Sequence, residues 1–418
     1  MSISPTASIK NTEPEDGQSI WKNRNFMFLW IGNGISLLAF NIFTLCLPIL
    51  IYQLTQSTLA MGTMRALEVI PNMVLGIIIG VIVDRLNRKI MIILSVSVQI
   101  ILVLGLISLL FFDMLQLWHL YSLGFFIFIC GFIYGNAFHS IIPQIVRRNQ
   151  LISANASINF ISTSINIIGP AMAGFILAID NYELGLGITV LGMAFLLILT
   201  SFITIRQETQ VKNHRQQKSF MQDTTEGLKY LFGHKELIIS TFIILCINIA
   251  SASTGAVLLF YALNSFSVSE KEIGFILSIG AIGGLIASVF AKKIQQLLSN
   301  LLGIFIFGIS LMIAGNMINF FSLEWYWLGL GMLCIGFGAV MINIHYLTLR
   351  QKETPNKLLG RVTGATSTIM KLSAPISFIS AGFIAEFILV QYIFLGTAIF
   401  LITLIFPLIF VKGIKRAF

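Results

Sequence analysis

The chain has 418 residues, of which 10 % are charged, 56 % are hydrophobic and 12 % are aromatic. A water-soluble domain carries roughly 25 % charged residues, so this composition excludes a soluble enzyme, a disordered regulator and a nucleic-acid binder. The net charge of +9 therefore has to be read from where the basic residues sit rather than from their sum.

The first 26 residues are polar and carry Glu13, Glu15 and Asp16, unlike the basic start and short apolar core of a signal peptide. Residues 1–26 are read as a cytoplasmic tail. Twelve apolar stretches of spanning length follow, at 27–51, 58–83, 90–112, 117–143, 156–179, 184–205, 237–262, 272–291, 301–321, 325–348, 360–384 and 389–411. Lipid leaves backbone groups no outside partner, so the spans are predicted to be helices. The fold class is an all-α integral membrane protein with twelve transmembrane helices in two halves, 27–205 and 237–411. A polar linker, 206–236, divides them, and its segment 223–231 is predicted to be an amphipathic helix on the membrane surface. Residues 412–418 form a second cytoplasmic tail.

With both termini inside, 23 of the 26 Lys and Arg fall on inner segments. Lys271 alone lies in an outer loop, and Arg65 and Lys371 lie within spans. This asymmetry follows the positive-inside rule and predicts a multi-pass cell-membrane protein with cytoplasmic termini. Cys130 and Cys334 are 204 residues apart, Pro170 and Pro375 are 205 apart, and His139 and His345 are 206 apart. Asn136 and Asn343 are 207 apart. Together these spacings point to duplication of a six-span unit, an architecture that places a ligand site between the halves near midplane. Cys46, Cys130, Cys246 and Cys334 sit in apolar runs without metal-ligand spacing and read as packing residues.

The loop after the second span reads Gly80-Val-Ile-Val-Asp84-Arg85-Leu-Asn-Arg88-Lys89. It resembles the signature loop of the major facilitator superfamily, departing at Asn87, where that family usually has Gly. The resemblance implies a cytoplasmic latch of Gly80, Asp84, Arg85, Arg88 and Lys89 that holds the outward-facing state. Asp84 would face the helix starting near Gly360. Gly169-Pro170-Ala-Met-Ala173-Gly174 in the fifth span resembles the motif end typical of antiporters in that superfamily, carried by Gly169, Pro170 and Gly174. The stretches 139–174 and 223–237 resemble the branch that holds macrolide efflux proteins and siderophore exporters.

Arg65 and Glu68, three residues apart, share one face of the second span. In the fold the chain resembles, the second and eleventh spans face each other. Glu68 is expected to pair with Lys371, with Arg65 tuning both, and to carry the coupling proton; a static salt bridge is the alternative. Asn33, Asn41, Gln99, Asn136, Asn248 and Asn343 are candidates for the substrate cavity, each equally able to serve as interhelical glue. His139 and His345 read as packing or capping groups. No nucleotide loop, catalytic triad or metal cluster is present in the sequence.

The function expected is secondary active export of a small amphipathic or anionic molecule, a siderophore or a macrolide-like drug, by proton-coupled alternating access. A nutrient importer by symport and a transport-inactive sensor are the alternatives. Expected partners are the substrate, protons and the lipid bilayer, with no cofactor, no metal and no nucleic acid, and a monomeric state.

Overall fold

The computed structural model describes residues 19–74, 86–179, 181–204, 220–298 and 300–410. Gly80, Asp84 and Arg85 of the predicted latch lie outside these residues. The described residues form thirteen α-helices: α1 (Arg24–Thr55), α2 (Thr58–Val74), α3 (Arg88–Phe111), α4 (Leu117–Ile145), α5 (Leu151–Leu177), α6 (Tyr182–Ser201), α7 (Phe220–Gly233), α8 (Lys235–Phe266), α9 (Glu270–Leu298), α10 (Leu301–Phe320), α11 (Trp325–Glu353), α12 (Asn356–Ile384) and α13 (Gln391–Phe410). Eleven are long and apolar enough to cross a membrane. The described part of α2, 17 residues, falls just short of that length, and α7 is the helix predicted within the linker.

Local chemistry sets the helix starts. Asn23, Asn181 and Asn300 cap α1, α6 and α10, each accepting the backbone N–H three residues on. Asn87 does the same for α3, accepting from Lys89 at 3.0 Å and Ile90 at 3.4 Å. The departure from glycine in the signature loop is thus a helix cap.

The helices form two bundles with matching internal neighbours. In the first, α1 packs on α5 and α6, and α3 on α4 and α6. In the second, α8 packs on α12 and α13, and α10 on α11 and α13. Both α1 and α8 are 32 residues long and break at a left-handed residue, Gln56 (φ 46°) and Ser267 (φ 49°). Helices α5 and α12 begin 205 residues apart, the spacing of Pro170 and Pro375. The duplication read from scattered pairs is a duplication of architecture.

Among the described residues the bundles are joined chiefly by two helix pairs, α2 with α12 and α5 with α9, with a smaller contact of α2 on α8. Apolar surface gives little drive to associate in lipid, so close backbone approach and hydrogen bonds must supply the contact. Both crossings lie at the face opposite the termini and are made by glycine. A Cβ on Gly62 would stand 2.5 Å from the Phe378 carbonyl oxygen, and one on Gly382 would stand 2.8 Å from that of Thr58. At the other crossing, a Cβ on Gly274 would stand 2.5 Å from the Pro170 oxygen, and one on Gly174 would collide with the Glu270 carbonyl.

Candidate substrate pathway between the halves

Carboxylates reinforce the sealed face. Glu386, just past α12, accepts hydrogen bonds from Ser57 Oγ at 2.6 Å, Leu59 N at 3.0 Å and Thr58 Oγ1 at 3.1 Å. A carboxylate from the second bundle thus caps the N-terminus of α2 in the first. Burial raises the Glu386 pKa, but the donors around it outweigh this and hold it below the ordinary carboxylate value. At the second crossing, Tyr182 Oη donates to Glu270 at 3.0 Å and accepts from Gln53 at 2.7 Å. One turn deeper, the Ala171 N–H donates to Ser278 Oγ across the halves at 3.1 Å.

The predicted charge cluster lies below this seal, with a different pairing. Glu68 pairs with Arg65 on its own helix at 3.0 Å. Lys371 Nζ instead donates to Asn72 Oδ1 on α2 at 2.8 Å. The expected Glu68–Lys371 pair is therefore replaced, because α12 meets α2 one turn further along than span positions alone place it. The cluster still joins the halves, through a neutral amide.

Toward the terminal face, among the described residues, the helices that make the two crossings carry exposed lines. On α12, Phe378 and Gly382 lie within about 20° of Lys371 around the helix and touch α2, whereas Gly360 and Gly364, on the same line, are exposed. On α5, Asn155, Asn159 and Asn166 form the corresponding line and are exposed. The exposed apolar residues Ile168 and Phe175 lie on the opposite side of α5, while Ile152 in its first turn shares the amide side. A helix with one exposed apolar face and one exposed amide face turns the first to lipid and the second to water. These neutral amides carry no charge signal in the sequence; the Pro170–Pro375 spacing identifies their line as the counterpart of the Lys371 line.

The six cavity candidates fall into separate environments. Asn33 (3 % exposed) accepts from Tyr134 Oη at 2.7 Å, and Gln99 (4 % exposed) donates to the Ile127 carbonyl at 3.1 Å; both are bonds between packed helices. Asn41 and Asn136 donate to carbonyls of their own helices, and Asn41 also packs on Gly169. Asn248 is half-buried, and Asn343 is exposed. His345 is buried and bonded to the Met341 carbonyl four residues back, and His139 is exposed. All four cysteines are free; three are buried and Cys334 is half-buried. Within the described part of the signature loop, Lys89 Nζ donates to the Ser201 and Ile203 carbonyls at 2.7 and 2.8 Å, which fastens α3 to the end of α6.

A family model described as Major Facilitator Superfamily matches residues 29–378. The chain belongs to this superfamily. As such it is a membrane transporter and not an enzyme, and it resembles other superfamily members along its length. It is 25 % identical to macrolide efflux protein A of Streptococcus pyogenes over 402 residues, 93 % of this chain and 96 % of that one. It is 24 % identical to the enterobactin exporter EntS of Escherichia coli O1:K1 / APEC over 359 residues, 81 % and 80 % of the two chains. Among solved structures, the nucleoside transporter NupG matches with a TM-score of 0.72 at 15 % identity, covering 92 % of this chain and 98 % of that one. A bacterial homologue of the iron transporter ferroportin matches with a TM-score of 0.69 at 16 % identity, covering 94 % and 99 %. These two likenesses establish the shared fold.

Proposed function

We propose that this chain is a proton-coupled exporter of a small anionic or amphipathic molecule, working as a monomer by alternating access in the cell membrane. One observation supports the reading: glycine crossings close the halves at one face, and below them, among the described residues, the facing lines of α5 and α12 are exposed, with an Arg65–Glu68 pair and the Lys371–Asn72 bond at the boundary. The positive-inside distribution supports a cytoplasmic terminal face, the side from which an exporter loads. Similarity to two efflux proteins supports the outward direction.

Glu68 is the coupling carboxylate. It pairs with Arg65 on its own helix, beside the α2–α12 crossing between the halves. Gly80, Asp84, Arg85, Arg88 and Lys89 act as a latch for the outward-facing state, and Gly169, Pro170 and Gly174 mark the antiport mode. Arg65, Glu68 and Lys371 together sum to +1, which favours a carboxylate- or catecholate-bearing siderophore over a cationic macrolide.

The test uses a deletion strain grown with and without iron, its medium analysed by mass spectrometry, complemented by wild type or Glu68→Gln. Loss of a secreted iron chelator, restored by wild type and not by E68Q, is the expected result. An unchanged medium accompanied by macrolide sensitivity assigns the drug as substrate. Full complementation by E68Q removes the proton role from Glu68.

A further inference from the structure

Helices α5 and α12 occupy equivalent places in the two halves, and their residues correspond at a spacing of 205, fixed by the starts Leu151 and Asn356 and by Pro170 and Pro375. At this spacing the exposed line of each helix aligns with the other residue by residue. Asn155 corresponds to Gly360, Asn159 to Gly364 and Asn166 to Lys371, all six exposed. The α12 line turns toward the opposite half: it touches α2 at its far end, and Lys371 reaches Asn72. The α5 line lies opposite the exposed Ile168 and Phe175 of its own helix and leads to Pro170, whose carbonyl meets Gly274 of the other half.

The backbone is therefore pseudo-symmetric while the lining is not. One wall carries three amides over about 16 Å of helix, each with donors and an acceptor. Asn155, Asn159 and Asn166 show no hydrogen bond to any described residue, so their bonding capacity is open to a ligand or to water. The other wall offers glycine, where a planar or bulky group can approach the backbone, and a single cation held by one neutral amide.

Resting on the exporter reading above, we infer that these two walls select and orient the ligand. The amide line of α5 binds its neutral hydrogen-bonding groups, and Lys371 binds an anionic group at the other end. The class is an elongated molecule rich in hydrogen-bonding groups with a carboxylate, catecholate or similar anionic terminus. Amine-bearing molecules are disfavoured because the ammonium group would lie beside Lys371 with no carboxylate on either line.

The test uses the full chain in nanodiscs, where both faces are reachable, with Asn159→Cys or Asn166→Cys and a membrane-impermeant thiol reagent. The unsubstituted chain gives the background from the four native cysteines. Both positions are expected to react. Enterobactin and citrate, the anionic probes, are expected to slow the reaction about fivefold or more, and erythromycin, the amine probe, less than twofold. In a Lys371→Met background the protection is expected to fall below twofold with unchanged reactivity of the ligand-free chain, and Lys371→Arg is expected to retain it. Any one of four results overturns the inference: no reaction at both positions, no protection by either anionic probe, equal protection by erythromycin, or protection unaffected by K371M. Flux of the same probes into proteoliposomes reports separately on the exporter reading. Protection without flux overturns transport and keeps the two walls, whereas flux without protection does the reverse.

Discussion

Gly274→Ala adds one methyl group at the α5–α9 crossing. Its Cβ would stand 2.5 Å from the Pro170 carbonyl oxygen and 3.0 Å from the Ala171 Cα, against about 3.4 Å for ordinary contact. Both obstacles are backbone atoms of the opposite half, so no side-chain rotation relieves the clash and the helices must part by nearly an ångström. Overpacking of this kind costs about 1–3 kcal/mol. The cost falls only on the sealed conformer, so its population relative to the conformer open at the opposite face should drop about 5- to 140-fold. Ser278 reports the change: it is 7 % exposed, and its hydroxyl accepts the Ala171 N–H across the same crossing. Labelling of Ser278→Cys by an impermeant thiol reagent should accelerate by that factor when Gly274→Ala is added. Gly105→Ala, where a new Cβ meets nothing within 4 Å, should leave the rate unchanged. Equal rates for G274A and G105A would refute the reasoning that a glycine crossing holds the seal.

Gly169→Ala should leave the labelling rate of Ser278→Cys near that of the G105A control, because its Cβ would meet the Asn41 side chain of α1 at 2.8 Å, within the same half and away from the crossing. Glu386 should make the seal acid-sensitive. Its pKa is depressed when sealed, so its contribution is complete above the ordinary value of 4.5 and is lost as pH falls through the depressed value. Labelling at Ala60→Cys should therefore rise with acidification below that value, and Glu386→Gln should remove the pH dependence. Gly227→Leu should undock α7, since a Cβ there would stand 2.5 Å from the Arg361 carbonyl oxygen beside the Arg361–Glu226 ion pair. Faster limited proteolysis within 220–233, with the transmembrane helices intact, is the measurement.

Much of the fold is legible because lipid simplifies the physics: long apolar runs must be helices, and basic residues mark one side. The linker helix and the duplication are legible for the same reason, one from its amphipathic pattern and the other from the spacing of Pro170 and Pro375. The Lys371 partner is not legible. Helical periodicity gives the face a residue occupies on its own helix, but the register between α2 and α12 is set by Gly62 and Gly382 at their crossing, so Asn72 takes the place expected of Glu68. Asn33 and Gln99 have the same residue chemistry as a cavity lining, and only packing separates a bond between buried helices from a group facing water. Glu386 lies just past the end of α12, outside the apolar helical pattern that marks in-span charges.

The proposed function is outward, proton-driven movement of a small molecule between the halves. Its most direct test is uptake by everted membrane vesicles under an imposed pH gradient, acid inside, with enterobactin and erythromycin supplied outside. Enterobactin should accumulate above its external concentration, the accumulation should collapse on adding a protonophore, and it should be lost in E68Q. Absence of accumulation of both compounds, or uphill movement out of the vesicles, would contradict it.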